Sequence, residues 1–250
     1  MKSDEHLQAT SAPTSGGSGE AELVLKLFEA LGAEVVVEAA PPFADLEMLL
    51  PAEREPVQKA VEKRVREFAT GRVLARRALQ RLGFPEAPLR VGPGRAPLWP
   101  EGAVGTIAHT AGLCVAVCTT LDRVRSVGLD LECELELKEG LAERILLQEE
   151  RTTRGARPAL HYFCAKEAVY KCQYPLSERF LEFHDVCVEF AQDRESFTAN
   201  ILEEPDSSPW KRIHGRVVTT ADHVLAAAAL VSEGGISHRQ DGADSLEPVE

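Results

Sequence analysis

Two long stretches of helical periodicity, each followed by strand-like runs, limit most sharply what this chain can fold into. From Val57 to Leu82, apolar residues recur at Val61, Val65, Phe68, Ala75, Leu79 and Leu82. Their spacings of three, four and seven put them on one face of a helix. Gly83 stands near the C-cap, and Pro85 prevents continuation. Pro158 to Tyr174 is the second helix, with Pro158 in its first turn, Pro175 as the stop and the stripe Leu160, Phe163, Cys164, Ala168. Strands are expected at Leu113–Thr119 and Ser126–Glu132 after the first helix. After the second they are expected at Val186–Phe190, Phe197–Leu202, Arg216–Thr219 and Val224–Val231. Helix then strands, twice over, predicts an α+β body of two similar halves.

The boundaries follow from composition. Residues 1–20, rich in Ser, Gly, Thr and Ala, read as a flexible leader, and 234–250 as a loose acidic tail. The N-terminal half is then 21–126 and the C-terminal half 127–233. No repeat of 20–50 residues is evident. Within 92–105, three prolines and four glycines predict a loop, and their spacing is not that of a dinucleotide cradle.

With 44% hydrophobic residues over 250, the chain can bury a sizeable core, which excludes a disulfide miniprotein and a wholly disordered chain. No run of about 18 apolar residues suggests a membrane span. The first 20 residues show no apolar core of a secretory signal. Six cysteines without a CxxC pair predict free, mostly buried thiols in a reducing cytosol, hence a cytoplasmic protein. The net charge of −12, from 28 basic and 40 acidic residues, disfavours nucleic acid as a partner. Charge is uneven, however. Between Arg54 and Arg95 there are eleven Lys and Arg against four Glu. Such a basic patch on an acidic protein suggests a site for a phosphate-bearing ligand.

Four positions carry chemistry. Arg72 stands where the first helical stripe calls for an apolar residue, with Arg64 and Arg76 on neighbouring turns. It is either a snorkelling arginine or part of an anion site. Asp130 and Glu132 share one face of a strand, opposite Leu129 and Leu131. Two adjacent carboxylates suit Mg²⁺, or else form a plain solvated face. Glu167 and Lys171 lie on the apolar stripe of the second helix, either as a surface ion pair or as a partly buried carboxylate with its partner. His109, read at the start of the strand after the loop, is a structural or a ligand-binding histidine.

The motifs Arg64-x2-Glu67-Phe68-x2-Gly71-Arg72-x2-Ala75-Arg76-x-Ala78-Leu79, Pro97-Leu-Trp99-Pro100-x-Gly102-x-Val104-Gly105-x3-His109, Val127-Gly128-Leu-Asp130-Leu-Glu132 and Phe163-Cys-Ala-Lys166-Glu167-Ala168-x-Tyr170-Lys171 follow one another in order. Together they resemble the 4′-phosphopantetheinyl transferases of the Sfp type, the branch associated with enterobactin synthase. The likeness spans Glu62 to about Val231.

The resemblance implies a pseudo-twofold pair of α+β halves with the site between them. It implies transfer of the phosphopantetheine arm of coenzyme A to a serine of an apo acyl or peptidyl carrier protein, releasing adenosine 3′,5′-bisphosphate. Asp130, Glu132 and Glu167 match metal ligands for Mg²⁺ or Mn²⁺, with Glu167 also the base for the carrier serine. Lys166 and Lys171 match lysines at the pyrophosphate, Lys171 counting as catalytic. Arg64, Arg72 and Arg76 match positions that grip coenzyme A, and His109 matches the histidine at its 3′-phosphate. Arg95 and Thr106 are placed near the nucleotide by position and chemistry. The chain departs from the family in writing Thr106 and Ala108 before His109, and in a shortened segment before Phe163. A non-catalytic relative that binds coenzyme A or a carrier is the alternative. A monomer is expected, because one chain holds both halves.

Overall fold

The computed structural model describes residues 18–133, 140–154 and 157–231. Helix α1 (Ser18–Ala30) opens the described chain, starting inside the segment expected to be a leader. The rest of that leader and the acidic tail lie outside the described residues. After β1 (Val36–Ala40), α2 (Pro51–Arg54) and α3 (Glu62–Arg81) come β2 (Ala103–Thr110) and β3 (Leu113–Thr120). The strands form a three-stranded antiparallel sheet in the order β1-β3-β2. The second half runs β4 (Val124–Cys133), α4 (Leu141–Ile145), α5 (Gln148–Thr153), α6 (Ala159–Ser177), β5 (Val186–Phe190), β6 (Ser196–Ile201), β7 (Arg212–Thr219) and β8 (His223–Val231). Its five-stranded sheet is ordered β4-β8-β7-β6-β5. The α+β architecture read from the sequence is therefore the observed one.

Each sheet carries one long helix on its outer face. Leu74, Ala75, Ala78 and Leu79 of α3 pack on Ala103, Cys114, Ala116 and Cys118. Leu160, Cys164, Ala168 and Cys172 of α6 pack on Val217, Val224, Ala226 and Ala228. The opposite faces share a single core. Val115 and Val117 of β3, Val127 and Leu129 of β4, and Leu225 and Ala227 of β8 meet Val24, Leu27 and Phe28 of α1. Period-two alternation explains both layers, because neighbouring residues of a strand point to opposite sides of its sheet. Cys172 and four other cysteines are buried, Cys133 is half-buried, and all six are free.

On β4 the alternation has a direct consequence for the site. Val127, Leu129 and Leu131 enter the shared core, so Gly128 and Asp130 face α6. A Cβ on Gly128 would collide with the Ala168 carbonyl and the Cys172 amide. Glycine thus lets the helix backbone lie directly on the strand. The Ser126 hydroxyl donates to the Cys172 carbonyl at 2.5 Å and fixes the register of the contact.

The two halves also repeat in sequence. Leu49-Leu-Pro-Ala-Glu-Arg54 returns as Leu146-Leu-Gln-Glu-Glu-Arg151. The carboxylate of Glu53 accepts from the amides of Leu50 and Leu89, both at 2.9 Å, and pairs with Arg76 at 2.5 Å. Glu150 accepts from the amides of Leu147 and Val188, both at 2.8 Å, and pairs with Lys166 at 2.7 Å. Arg76 further donates to the Met48 carbonyl and Lys166 to that of Ile145, each at 2.8 Å. Each long helix is therefore tied by its own basic residue to the short helix that precedes it.

Four local expectations are corrected. The first long helix begins at Glu62 rather than Val57, because residues 55–57 form a separate 3-10 turn. Strand β2 begins at Ala103, so the loop ends at Gly102 and His109 lies near the end of the strand. Gly105 is in that strand because Trp99 and the Val117 carbonyl leave no room for a side chain. Finally, α6 runs through Pro175 to Ser177 and stops at Glu178, whose φ of 52° is left-handed. A proline removes only one helical amide bond, and Gln173 restrains the last turn by donating to the Arg179 carbonyl at 2.8 Å.

Candidate active site

The carboxylates gather where β4 meets α6. Lys171 Nζ donates to Asp130 Oδ1 at 2.6 Å and to the Leu129 carbonyl at 3.0 Å. Burial pulls the Lys171 pKa down, but Asp130 and Glu167 outweigh it, and the net direction is upward. The ammonium is thus held charged. Glu167, one turn earlier, has its pKa raised first by burial and then by the Asp130 charge, with Lys171 opposing. Glu132 is raised in the same way, by burial and then by Asp130. The site therefore concentrates more negative charge than its one lysine neutralises.

The donor chemistry fits a hard divalent cation. Asp130 Oδ2 is buried and has no hydrogen-bond partner among the described residues. An orphaned carboxylate oxygen beside two destabilised carboxylates is an arrangement that a cation would relieve. Among the described residues no three such side chains close around a single point. Bound phosphate oxygens and water would therefore have to supply the rest of a Mg²⁺ shell.

Across the cleft, α3 presents Arg64, Phe68 and Arg72 on one face. The Arg72 guanidinium stacks on the Phe68 ring, 4.4 Å from its centre, and its Nε donates to the Leu89 carbonyl at 2.9 Å. Burial lowers its pKa to about 10, with Arg64 and Arg76 adding to the effect and Glu53 opposing it. Among the described residues neither Arg64 nor Arg72 has a carboxylate within ion-pair distance, whereas Arg76 is committed to Glu53 and Glu86. The basic patch is thus partly spent inside the fold, and on this face of α3 Arg64 and Arg72 are left for an anion. Arg64 Nη1 lies 2.8 Å from His109 Nε2, which places the histidine with them. Burial pushes the His109 pKa below its ordinary value.

Two cavities meet at Tyr170. One, of about 410 Å³, lies between the halves and is lined by Arg95, Trp99, Thr106, Tyr170, Lys171 and Tyr174, among others. Arg95 is exposed, in a short turn held by Gly94, whose Cα packs against the Tyr174 hydroxyl. Thr106 is buried and its hydroxyl oxygen accepts from the Leu129 amide at 3.3 Å, tying β2 to β4 beside Asp130. The other cavity, of about 730 Å³, runs past Glu167 and is mainly apolar, with Leu141, Phe180, Leu181 and Phe183 in its walls.

Of the residues singled out in the sequence, Asp130, Glu132, Glu167 and Lys171 come together, and Arg64, Arg72 and His109 form a second group. Arg95 and Thr106 line the cavity between the halves. Two residues are engaged inside the fold. Arg76 holds Glu53. Lys166 borders the larger cavity beside Glu167, but its ammonium is turned inward. Its side chain is 1% exposed, and its three protons go to Glu150, Ile145 O and Phe183 O. The repeated Leu-Leu-x-x-Glu-Arg segment was the available signal, because it pairs each of these bases with a buried glutamate. Tyr170 and Tyr174, whose rings are 5.4 Å apart, were given no role by the sequence reading. Their spacing on the Lys171 face of the helix would have pointed to them.

Residues 52–119 match the 4′-phosphopantetheinyl transferase N-terminal domain, and residues 126–228 match the 4′-phosphopantetheinyl transferase superfamily. The chain is 42% identical over 159 residues to the 4′-phosphopantetheinyl transferase PptT of Mycobacterium tuberculosis, covering 61% of this chain and 70% of that one. It is 35% identical over 205 residues to the 4′-phosphopantetheinyl transferase Svp of Streptomyces mobaraensis, covering 78% and 83% respectively. It is also 34% identical over 140 residues to the enterobactin synthase component D of Salmonella typhi, covering 53% and 58%.

Proposed function

The chain belongs to the 4′-phosphopantetheinyl transferase superfamily, enzymes that move the phosphopantetheine arm of coenzyme A to carrier proteins, and from that premise we propose how its own residues accomplish the transfer. The observation that carries the reading is the Asp130–Lys171 pair with Glu167 beside it, at the junction of the two cavities.

Coenzyme A lies across the cleft. Arg64, Arg72 and His109 hold its phosphates on the N-terminal half, and Arg95 and Thr106 border the nucleotide. Among the described residues Arg64 and Arg72 have no carboxylate within ion-pair distance, which supports this placement. Lys171 stabilises the charge that grows on the departing nucleotide phosphate, since an ammonium held charged by Asp130 needs no reorganisation to do so. Glu167 takes the proton of the carrier serine hydroxyl as its oxygen attacks phosphorus. Its raised pKa makes it a stronger base than an ordinary carboxylate. Asp130, Glu132 and Glu167 would hold Mg²⁺, or Mn²⁺ in its place. When bound, the metal neutralises pyrophosphate charge and draws electron density from the scissile bond.

No helix among the described residues is long and apolar enough to cross a membrane. The free thiols support a reducing cytoplasmic setting, and a chain holding both halves of the cleft supports action as a monomer. The test is intact-mass spectrometry of an apo carrier protein after incubation with the enzyme, coenzyme A and Mg²⁺. The expected result is a gain of one phosphopantetheine, abolished by EDTA and by Glu167→Gln. No gain across fatty-acid, polyketide and peptide carriers would refute the reading.

A further inference from the structure

Glu67 is a buried carboxylate to which the reading above gives no task. It projects from α3 with its side chain 11% exposed, and Oε2 lies 3.7 Å from His109 Nδ1. On its outer side Lys63 Nζ, itself exposed, is 3.8 Å away. The other ring nitrogen of His109 faces Arg64 Nη1 at 2.8 Å. A guanidinium can only donate, so Nε2 must be the acceptor and the ring proton of the neutral form must sit on Nδ1. Nδ1 is the ring nitrogen that lies within ion-pair distance of Glu67.

We propose that Glu67 is the positioning residue that fits this site to the 3′-phosphate of coenzyme A, by holding the Nδ1 proton of His109 so that Nε2 can be protonated and donate when the phosphate arrives. The inference rests on His109 facing that phosphate, as proposed above. In the step itself, Arg64 turns from Nε2 to a phosphate oxygen, Nε2 takes a proton from solvent, and the new N–H donates to the phosphate. The imidazolium then lies between two anions, the phosphate and Glu67, which is the arrangement that stabilises it. Without the carboxylate, the cation would have an anion on one side only.

The charged groups facing the ring come from three elements. Arg64 and Glu67 are on α3, Asp130 is on β4 and Lys171 is on α6. In the free protein, burial is the largest influence and keeps the ring neutral near pH 7. Arg64 and Lys171 act in the same direction, while Glu67 and Asp130 oppose them. Binding a phosphate adds an anion and moves the ring toward its charged form. The bound pKa therefore exceeds the free one, and affinity is lost as pH rises through the bound value.

Calorimetry in buffers of different ionisation enthalpy tests this on the wild-type protein. Coenzyme A binding at pH 7.5 is expected to take up protons, and 3′-dephospho-coenzyme A binding is not. Absence of uptake with coenzyme A overturns the proposal without any variant. Glu67→Gln is then expected to raise the KM for coenzyme A about tenfold more than that for 3′-dephospho-coenzyme A, because a neutral amide no longer stabilises the imidazolium that the phosphate induces. It should also flatten the pH dependence of the first KM, and Glu67→Asp should restore part of both. Equal losses on the two substrates would make Glu67 merely structural and overturn the proposal. His109→Ala separates the two levels. If it leaves the discrimination intact, the placement of His109 is wrong. If it erases discrimination while Glu67→Gln preserves it, only the role of Glu67 fails.

Discussion

Glu167 and Lys171 occupy successive turns of α6, and both feel the charge of Asp130. That coupling fixes the sign of two pH effects. A base must be ionised to accept a proton, so transfer is present above the Glu167 pKa and declines as pH falls through it. Burial and Asp130 raise that pKa in the metal-free protein and a bound Mg²⁺ would lower it, so the acid limb of kcat/KM is expected to move upward as Mg²⁺ is reduced. Glu167→Gln is expected to lower kcat by about 10²–10⁴-fold, the usual contribution of a positioned base, and to remove the acid limb. A thermal melt close to wild type would show that the loss is chemical. Lys171 opposes both raised carboxylates. Lys171→Met therefore drives the Glu167 pKa further up, and its residual activity should show an acid limb displaced upward. A limb unmoved by that substitution would remove Glu167 from the role of base.

The elements hold these groups in place through close backbone approach and two buried ion pairs. Gly128 is the contact point between β4 and α6. Gly128→Ala forces a methyl into the Ala168 carbonyl, a rigid obstacle, and should destabilise by about 3 kcal/mol, the upper end for overpacking. Urea unfolding measures that loss, and a neutral result would mean α6 is free to shift. Lys166→Met leaves Glu150 buried without its cation. This should cost about 3–5 kcal/mol, while the KM for coenzyme A of the folded enzyme stays at the wild-type value. A raised KM at unchanged stability would return Lys166 to the pyrophosphate. These pairs also mark what the sequence could and could not say. The stripes of the two long helices and the alternation of Leu129 and Leu131 with Asp130 and Glu132 are local patterns, and they announced the elements and the face of β4 that carries Asp130. The direction of a lysine stem is not local. Lys166 and Glu167 are adjacent in sequence, yet one turns to Glu150 on α5 and the other to the cleft, a choice made by tertiary packing. His109 was misplaced along its strand for a similar reason. It is the pairing of Gly105 with Cys118 of β3, with Trp99 packed over it, that places the glycine in β2.

At the scale of the molecule, the enzyme's charge limits how it can meet its partner. The chain carries a net charge of −12, and carrier proteins of this class are expected to be acidic, so long-range electrostatics oppose encounter. Of the six arginines on α3, three are committed inward, Arg76 to Glu53 and Arg64 and Arg72 to the cleft, while Arg66, Arg77 and Arg81 are exposed outside it. What the cleft mouth offers instead is apolar surface. Phe180 is 69% exposed and packs edge-on against Tyr170, and Leu98 is 50% exposed beside the cavity between the halves. Salt should therefore affect the two substrates in opposite ways. Between low and moderate ionic strength, the KM for coenzyme A should rise as its phosphate contacts are screened. The KM for the carrier should stay level or fall, since screening removes a repulsion and leaves apolar contact untouched. Steady-state kinetics at several salt concentrations, varying each substrate in turn, separates the two. A carrier KM that climbs with salt as steeply as that of coenzyme A would place the docking energy in ion pairs, and the exposed arginines outside the cleft would then have to form them.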